Sequence, residues 1–167
     1  MTIHAGNPFA DEPDPVRRFR GRLGGAVSLW TSGSGAHRTG LTVSSLMVAN
    51  GDPARVLGLL DPDADLAEAL TVSSLAVVQL LTWSDRLLAE AFAGVGPAPG
   101  GPFTLGTWEQ TEHGPLLTGR THARVRVESL RPVGWSTEVV GVVESLVISP
   151  DPEGLEHRRG RYRRTSE

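Results

Sequence analysis

The chain has no cysteine and no lysine. Without thiols there are no disulfides, no thiol nucleophile, no zinc ribbon and no iron–sulfur cluster. Without lysine there is no Schiff-base amine and no P-loop cation. No apolar run approaches the 18 residues of a membrane helix, so no membrane role is expected. The opening Met1-Thr2-Ile3-His4 has neither a basic nor an apolar stretch of the secretory kind, which gives a cytoplasmic expectation. Dinucleotide fingerprints are also missing: Gly33-Ser34-Gly35 and Gly94-Val95-Gly96 each lack the third glycine. There is no GxSxG elbow and no HExxH, and His4, His37, His113, His122 and His157 contain no pair at metal-ligand spacing. The expectation is therefore no bound metal and no catalytic side chain of a known hydrolytic type.

The 167 residues and 39% apolar content fit one domain with one core. Sixteen basic residues, all Arg, oppose nineteen acids for a net charge of −3, which argues against nucleic acid as a partner. The arginines are clustered, four between Arg17 and Arg22 and five between Arg158 and Arg164. If the two ends meet, they form a basic edge suited to a phosphate-bearing ligand.

Local patterning predicts mostly strands. Residues 1–15 read as a loose arm and 16–167 as the folded domain. Asp14 and Pro15 can open a short helix. Ala26–Thr31, Leu41–Val48, Val56–Leu60 and Leu75–Leu81 read as strands, as do alternating Thr121–Leu130 and Trp135–Ile148, the latter with Gly141 at a bend or bulge. Asp61-Pro62-Asp63 is expected to cap a helix through Leu70. Ser84 is expected to cap another through Phe92, with Leu87, Leu88, Ala91 and Phe92 on its buried face. Gly94–Gly106, with five Gly and three Pro, is a loop, and His157–Arg164 is a basic tail with a last short strand. Two or three short helices inserted in an antiparallel barrel fit this pattern, with 20 Gly and 12 Pro serving its turns. The hexapeptide Leu-Thr-Val-Ser-Ser-Leu occurs at Leu41–Leu46 and again at Leu70–Leu75, and reads as a coincidence of composition.

The richest stretch for binding is Arg38-Thr39-Gly40-Leu41-Thr42-Val43-Ser44-Ser45. It sets a guanidinium, four hydroxyls and a glycine at a turn-to-strand junction. Such groups can satisfy a phosphate, and the glycine lets a flat ligand approach the backbone. A polar strand beside a glycine turn would look the same.

Several stretches resemble the flavin reductase-like, FMN-binding split-barrel family. Phe19-Arg20 and Gly24–Thr31 resemble its opening helix and strand, and Gly40–Leu46 its G-[ML]-T-x-[SN]-S-[FL] strand. Pro53 and Val56-Leu57 continue the match. Ala91-Phe92-Ala93-Gly94 resembles a helix end of the family, Val139–Val143 a late strand and Gly160-Arg161-Tyr162 its closing motif. The resemblance runs from about residue 16 to 164. It implies a mainly β, Greek-key split barrel, homodimeric, with FMN at the dimer edge and its phosphate on Thr42, Ser44 and Ser45. It also implies reduction of FMN, or of FAD or riboflavin as substrate, by NADH or NADPH, with reduced flavin going to a monooxygenase. The sequence departs from the family pattern where further serines are usual: Val48 cannot donate to a phosphate, whereas Asn50 can. Trp135 or Ser136 stands where a nicotinamide-linked His is common. Non-catalytic flavin binding or sensing in the same fold, and a cofactor-free β-barrel interaction module, are the alternatives.

Overall fold

The computed structural model describes residues 14–150 and 153–165. Most of the expected N-terminal arm lies outside the described residues. Asp14 caps α1 (Pro15–Leu23) by accepting a hydrogen bond from Val16 N–H (2.9 Å), and Pro15 occupies the first turn, where its missing N–H costs nothing.

Seven strands form one antiparallel sheet in the order β3-β2-β6-β9-β10-β5-β4: β2 (Ser28–Ser32), β3 (Thr39–Val43), β4 (Met47–Ala49), β5 (Arg55–Leu60), β6 (Leu75–Leu80), β9 (His122–Val133) and β10 (Ser136–Val147). Its two edges, β3 and β4, are consecutive in the chain and separated only by Ser44–Leu46. One split strand therefore joins both edges and closes the sheet into a barrel, which removes the edge-pairing hazard of an open sheet. The expected single strand Leu41–Val48 is thus bent at the point of closure. Ser45 pins the bend: its hydroxyl donates to Leu59 O (3.1 Å) and accepts from Leu59 N–H (2.8 Å) on β5. The Gly141 bulge is present as a register shift between Val140 and Gly141 against β9.

Every residue of β2 is buried, because its two faces serve two cores. Trp30 points into the barrel with Val56, Leu60, Val125 and Val139, and with Leu66 and Leu70 of α2 (Asp65–Ser73). Its indole lies where a Cβ on Gly58 would come within 2.8 Å, so a larger residue there would collide with the ring. Leu29 points outward to α3 (Arg86–Phe92), packing with Leu88, Ala89 and Phe92.

Three features differ from the sequence reading. Helix α2 begins at Asp65, after a turn in which Asp61 accepts from Asp63 N–H. Ser84 does not cap α3: it lies inside a 3₁₀ turn (Trp83–Asp85) that Thr82 and Asp85 close with a reciprocal capping box, and Asp85 stands at the N-cap position of α3. Leu87 is exposed, and the buried face of α3 is Leu88, Ala89, Ala91 and Phe92.

A further hairpin, β7 (Trp108–Thr111) and β8 (Gly114–Leu117), lies against β2 and β6. Fully buried Gln79 holds it, accepting from Leu117 N–H (2.8 Å) and donating to Pro115 O, which Thr31 also bonds. A small sheet of β1 (Gly25–Ala26), β11 (Leu155–Arg158) and β12 (Arg161–Arg164) completes the fold, so the basic tail is a hairpin. Its turn touches α1: Arg159 N–H donates to Gly21 O (2.8 Å). The two arginine clusters therefore do meet. Among the described residues no helix is long and apolar enough to cross a membrane.

Candidate active site

Beside the barrel closure lies an open cleft of about 370 Å³, within the range of small-molecule sites. Four segments far apart in sequence build it. β3 and the bend supply Thr42 and Ser44, α3 and its end supply Arg86, Glu90, Ala93 and Val95, the strand β1–β2 supplies Val27, and the β11–β12 hairpin supplies His157, Gly160, Arg161 and Tyr162. Three of the stretches that carry the family resemblance, the Thr/Ser strand, the Ala93 helix end and Gly160-Arg161-Tyr162, thus converge on one space.

The residues named from sequence separate here into two groups. Thr42 and Ser44 line the cleft. Thr42 is buried, and its hydroxyl donates to Ala89 O of α3 (2.7 Å), so its one proton ties β3 to the helix and only lone pairs remain for a ligand. Ser44 makes no side-chain hydrogen bond among the described residues, which leaves its hydroxyl able to donate into the cleft. Arg38, Thr39, Gly40, Leu41, Ser45 and Asn50 do not line it. Arg38 sits over the Phe103 ring, 4.6 Å from the centroid, in a cation–π contact. A Cβ on Gly40 would meet the Phe92 ring at 2.8 Å, so the close approach that this glycine permits is taken by a core phenyl group. Ser45 has its proton committed to the barrel closure. Asn50 is exposed beyond β4. Trp135, in the region where the family often carries a His, is exposed at the turn between β9 and β10.

The polar groups of the cleft are tuned by burial. Burial pushes the His157 imidazole below its ordinary value, and the nearby Arg20 charge acts in the same direction. His157 is therefore neutral at pH 7, with its ring packed edge-on to Tyr162 (centroids 5.6 Å apart). Burial, aided by Glu90, raises the Tyr162 phenol, which stays a neutral donor. Just behind the cleft wall Asp85 accepts a two-pronged bond from Arg120 (both 2.7 Å) and a third from Thr82 N–H. Burial opposes the Asp85 charge, but Arg120 and Thr82 outweigh it and hold the carboxyl below its usual range.

The sequence reading missed His157, Arg86 and Glu90 as cleft residues. The signal for the hairpin residues was present, since Gly160-Arg161-Tyr162 had already been singled out by resemblance. Among the described residues no cluster of His, Cys, Asp or Glu could hold a metal ion.

A hydroxyl donor, guanidinium groups and neutral aromatic or apolar walls in a cleft of this size fit a flavin. Ser44 can meet its polar edge or phosphate, and Val95 and Tyr162 its ring faces.

A closed antiparallel barrel with its ligand cleft beside a split strand defines the split-barrel class. The chain belongs to the flavin reductase-like family: residues 20–166 match the flavin reductase like domain. It is 28% identical over 151 residues to an FMN reductase (NADH), RutF, of Ancylobacter novellus, covering 89% of this chain and 83% of that one. It is 27% identical over 125 residues to the reductase component of an FADH(2)-dependent resorcinol hydroxylase from a Rhizobium species, covering 74% of this chain and 69% of the relative. Among solved structures, the NADH:FAD oxidoreductase SgcE6 of Streptomyces globisporus superposes with a TM-score of 0.82 at 26% identity, covering 95% of this chain and 99% of that one.

Two predictions arise at this site. Ser44→Ala should weaken FMN by about tenfold or more, the worth of a hydrogen bond to a charged group. Ser45→Ala should leave FMN affinity within about twofold but lower stability by roughly 1 kcal/mol, as it unpins Leu59. Titration of both variants with FMN checks this, and equal losses of affinity would remove Ser44 from the site. The second concerns pH. The folded pKa of His157 is lowered, so the unfolded chain binds its proton first as pH falls. The contribution of the neutral ring is complete above the ordinary value of 6.5 and is lost as pH drops through the lowered folded value. His157→Gln should therefore melt with a shallower loss of Tm below pH 6.5 than the parent protein. Parallel Tm–pH curves would contradict it.

Proposed function

We propose that the protein is an NAD(P)H-dependent flavin reductase that takes FMN, with FAD or riboflavin as further substrates. The observation that carries this reading is the convergence of Ser44, Ala93 and Arg161-Tyr162 on one cleft in a chain of this family. The chemistry supplied when flavin is bound is hydride acceptance from NADH or NADPH, so no protein acid or nucleophile is required. The protein's part is to hold and orient. Ser44 offers a donor to the polar end. Val95 and Tyr162 would exclude water from the ring faces. Neutral His157 adds no positive charge beside them at pH 7.

The relative from Rhizobium is a reductase component, which supports a flavin-dependent monooxygenase as the partner that consumes the product. A homodimer fits the exposed apolar residues around the closure, Met47, Val48 and Leu59, where a second copy would cover β4 and wall the open side of the cleft. Dependence on NADH or NADPH fits a cytoplasmic setting. Titration of the purified chain with FMN, followed by flavin fluorescence, tests the binding step. Saturable quenching by FMN is expected, and no association with FMN, FAD or riboflavin would favour the cofactor-free module.

A further inference from the structure

The meeting of the two arginine clusters gives the cleft a charged rim. Arg17, Arg18, Arg20 and Arg22 project from α1, and Arg158, Arg159, Arg161, Arg163 and Arg164 from the β11–β12 hairpin, all of them exposed. The contact is built: Arg159 takes a left-handed backbone (φ 53°) ahead of Gly160, and its N–H bonds Gly21 O, which fixes the hairpin turn against the helix. A Cβ on Gly24 would come within 3.5 Å of the aliphatic stem of Arg158, so the stem passes beside that glycine. Of these nine arginines only Arg164 has an ion pair among the described residues, with Glu153. The acids on the same elements are Asp14, Glu153 and Glu156. Asp14 is used as the α1 cap. Among the described residues the rim therefore carries more arginines than acids, with Glu90 the one acid lining the cleft beside it.

The rim is continuous with the cleft. Arg161 lines it directly. Arg20 precedes Gly21, whose carbonyl holds the hairpin turn between the cleft residues His157 and Arg161. Along α1 the arginines run from Arg17 to Arg22, about 8 Å at 1.5 Å per residue. A single phosphate monoester is satisfied by one or two guanidinium groups, so FMN alone leaves most of the rim without a role. A diffusing ligand with phosphates at several positions, extending out of the cleft mouth, matches its length and charge.

We propose that Arg20, Arg158 and Arg161 form the recognition site for the phosphate groups of the nicotinamide donor, and that through the donor's 2′-phosphate this rim selects NADPH over NADH. The proposal rests on the reductase reading and settles which donor it takes. The 2′-phosphate adds close to two negative charges to the diphosphate that both donors carry, and planar guanidinium forks are suited to phosphate oxygens.

The experiment compares 2′,5′-ADP with 5′-AMP by calorimetric titration of the full chain without flavin. The parent protein, an Arg20→Gln/Arg161→Gln variant and an Arg17→Gln/Arg18→Gln variant are used, the last removing the same charge one turn further from the hairpin contact. The parent should bind 2′,5′-ADP about tenfold tighter than 5′-AMP. The first variant should bring the two ligands within about twofold, and the second should keep the preference. In steady state the parent should show a KM for NADPH about tenfold below that for NADH, with the gap closed in the first variant. Equal binding of the two adenylates, a preference that survives Arg20→Gln/Arg161→Gln, an equal loss in both variants, or a lower KM for NADH would overturn the proposal. An acidic protein face as the rim's occupant would give the first of these results. If neither donor is oxidised with any flavin, the reductase reading fails, while the adenylate titration still decides the phosphate site by itself.

Discussion

Asp85→Ala is expected to lower Tm by on the order of 10 °C. The carboxylate is buried and receives Arg120 at 2.7 Å through two nitrogens, together with Thr82 N–H and the Thr82 hydroxyl. Removing the carboxylate takes from Arg120 its charge partner, leaving it the Thr118 carbonyl, and deletes the capping box of the 3₁₀ turn that leads into α3. Losses of about 3–5 kcal/mol follow from breaking a buried pair. The lower end applies because the Arg120 side chain keeps 22% of its surface exposed and can still reach water. At roughly 2–4 °C per kcal/mol for a domain of this size, the shift is several degrees to more than ten. Because the Asp85 pKa is depressed in the fold, its contribution is present at neutral pH. It is lost as pH falls from the ordinary 3.8 through the lowered folded value. Asp85→Asn keeps the shape but not the charge and should fall between the two. A scanning-calorimetry Tm within about 2 °C of the parent for Asp85→Ala would contradict the account of this pair.

The second large effect is on binding. Ala93 ends α3 with a helical backbone (φ −84°, ψ −7°) and lines the cleft. Ala93→Trp is compatible with that backbone but sets an indole into a cleft of about 370 Å³. FMN affinity should fall at least about a hundredfold, near 2.8 kcal/mol at 1.4 kcal/mol per decade. The partly exposed site lets the variant fold, so its circular dichroism and Tm should stay close to the parent's. Retained FMN affinity in a folded Ala93→Trp protein would show that the flavin lies elsewhere.

How far the sequence reaches is plain from particular residues. The long strands were legible because their apolar patterning is local. Thr121–Leu130 alternates, and in the structure Ala123 and Val125 face the barrel core. The repeated hexapeptide shows the limit of local reading. Its first copy, Leu41–Leu46, runs from β3 into the barrel bend, whereas the second, Leu70–Leu75, ends α2 and turns through Ser74 at φ 56° into β6. Identical local propensity gives strand in one place and helix in the other, because the preceding Ala64–Ala69 stretch nucleates α2, whereas the first copy continues a strand already paired with β2 from Thr39. The β7–β8 hairpin escaped notice for a related reason. Pro115 weakens it as a strand, and what holds it are the side chains of Thr31 and Gln79, 84 and 36 positions away. The sign of it was polar Gln79 inside an otherwise apolar strand, since a buried amide requires partners.

The binding stretch was legible as residue types but not as bonds. Thr42 and Ser45 carry the hydroxyls expected at a phosphate, and both protons are used to join β3 to α3 and the bend to β5. Ser44, in the bend just past the end of β3, lines the cleft together with Thr42. The other half of the site comes from the C-terminal hairpin, more than 110 residues away along the chain.

The most direct measurement is the oxidation of NADPH and NADH by the purified protein, followed by loss of nicotinamide absorbance, with and without added FMN, FAD and riboflavin. The account predicts turnover that rises and saturates with added flavin, and that falls sharply in Ala93→Trp. A protein that binds FMN but oxidises neither donor at any flavin concentration would contradict the reductase assignment.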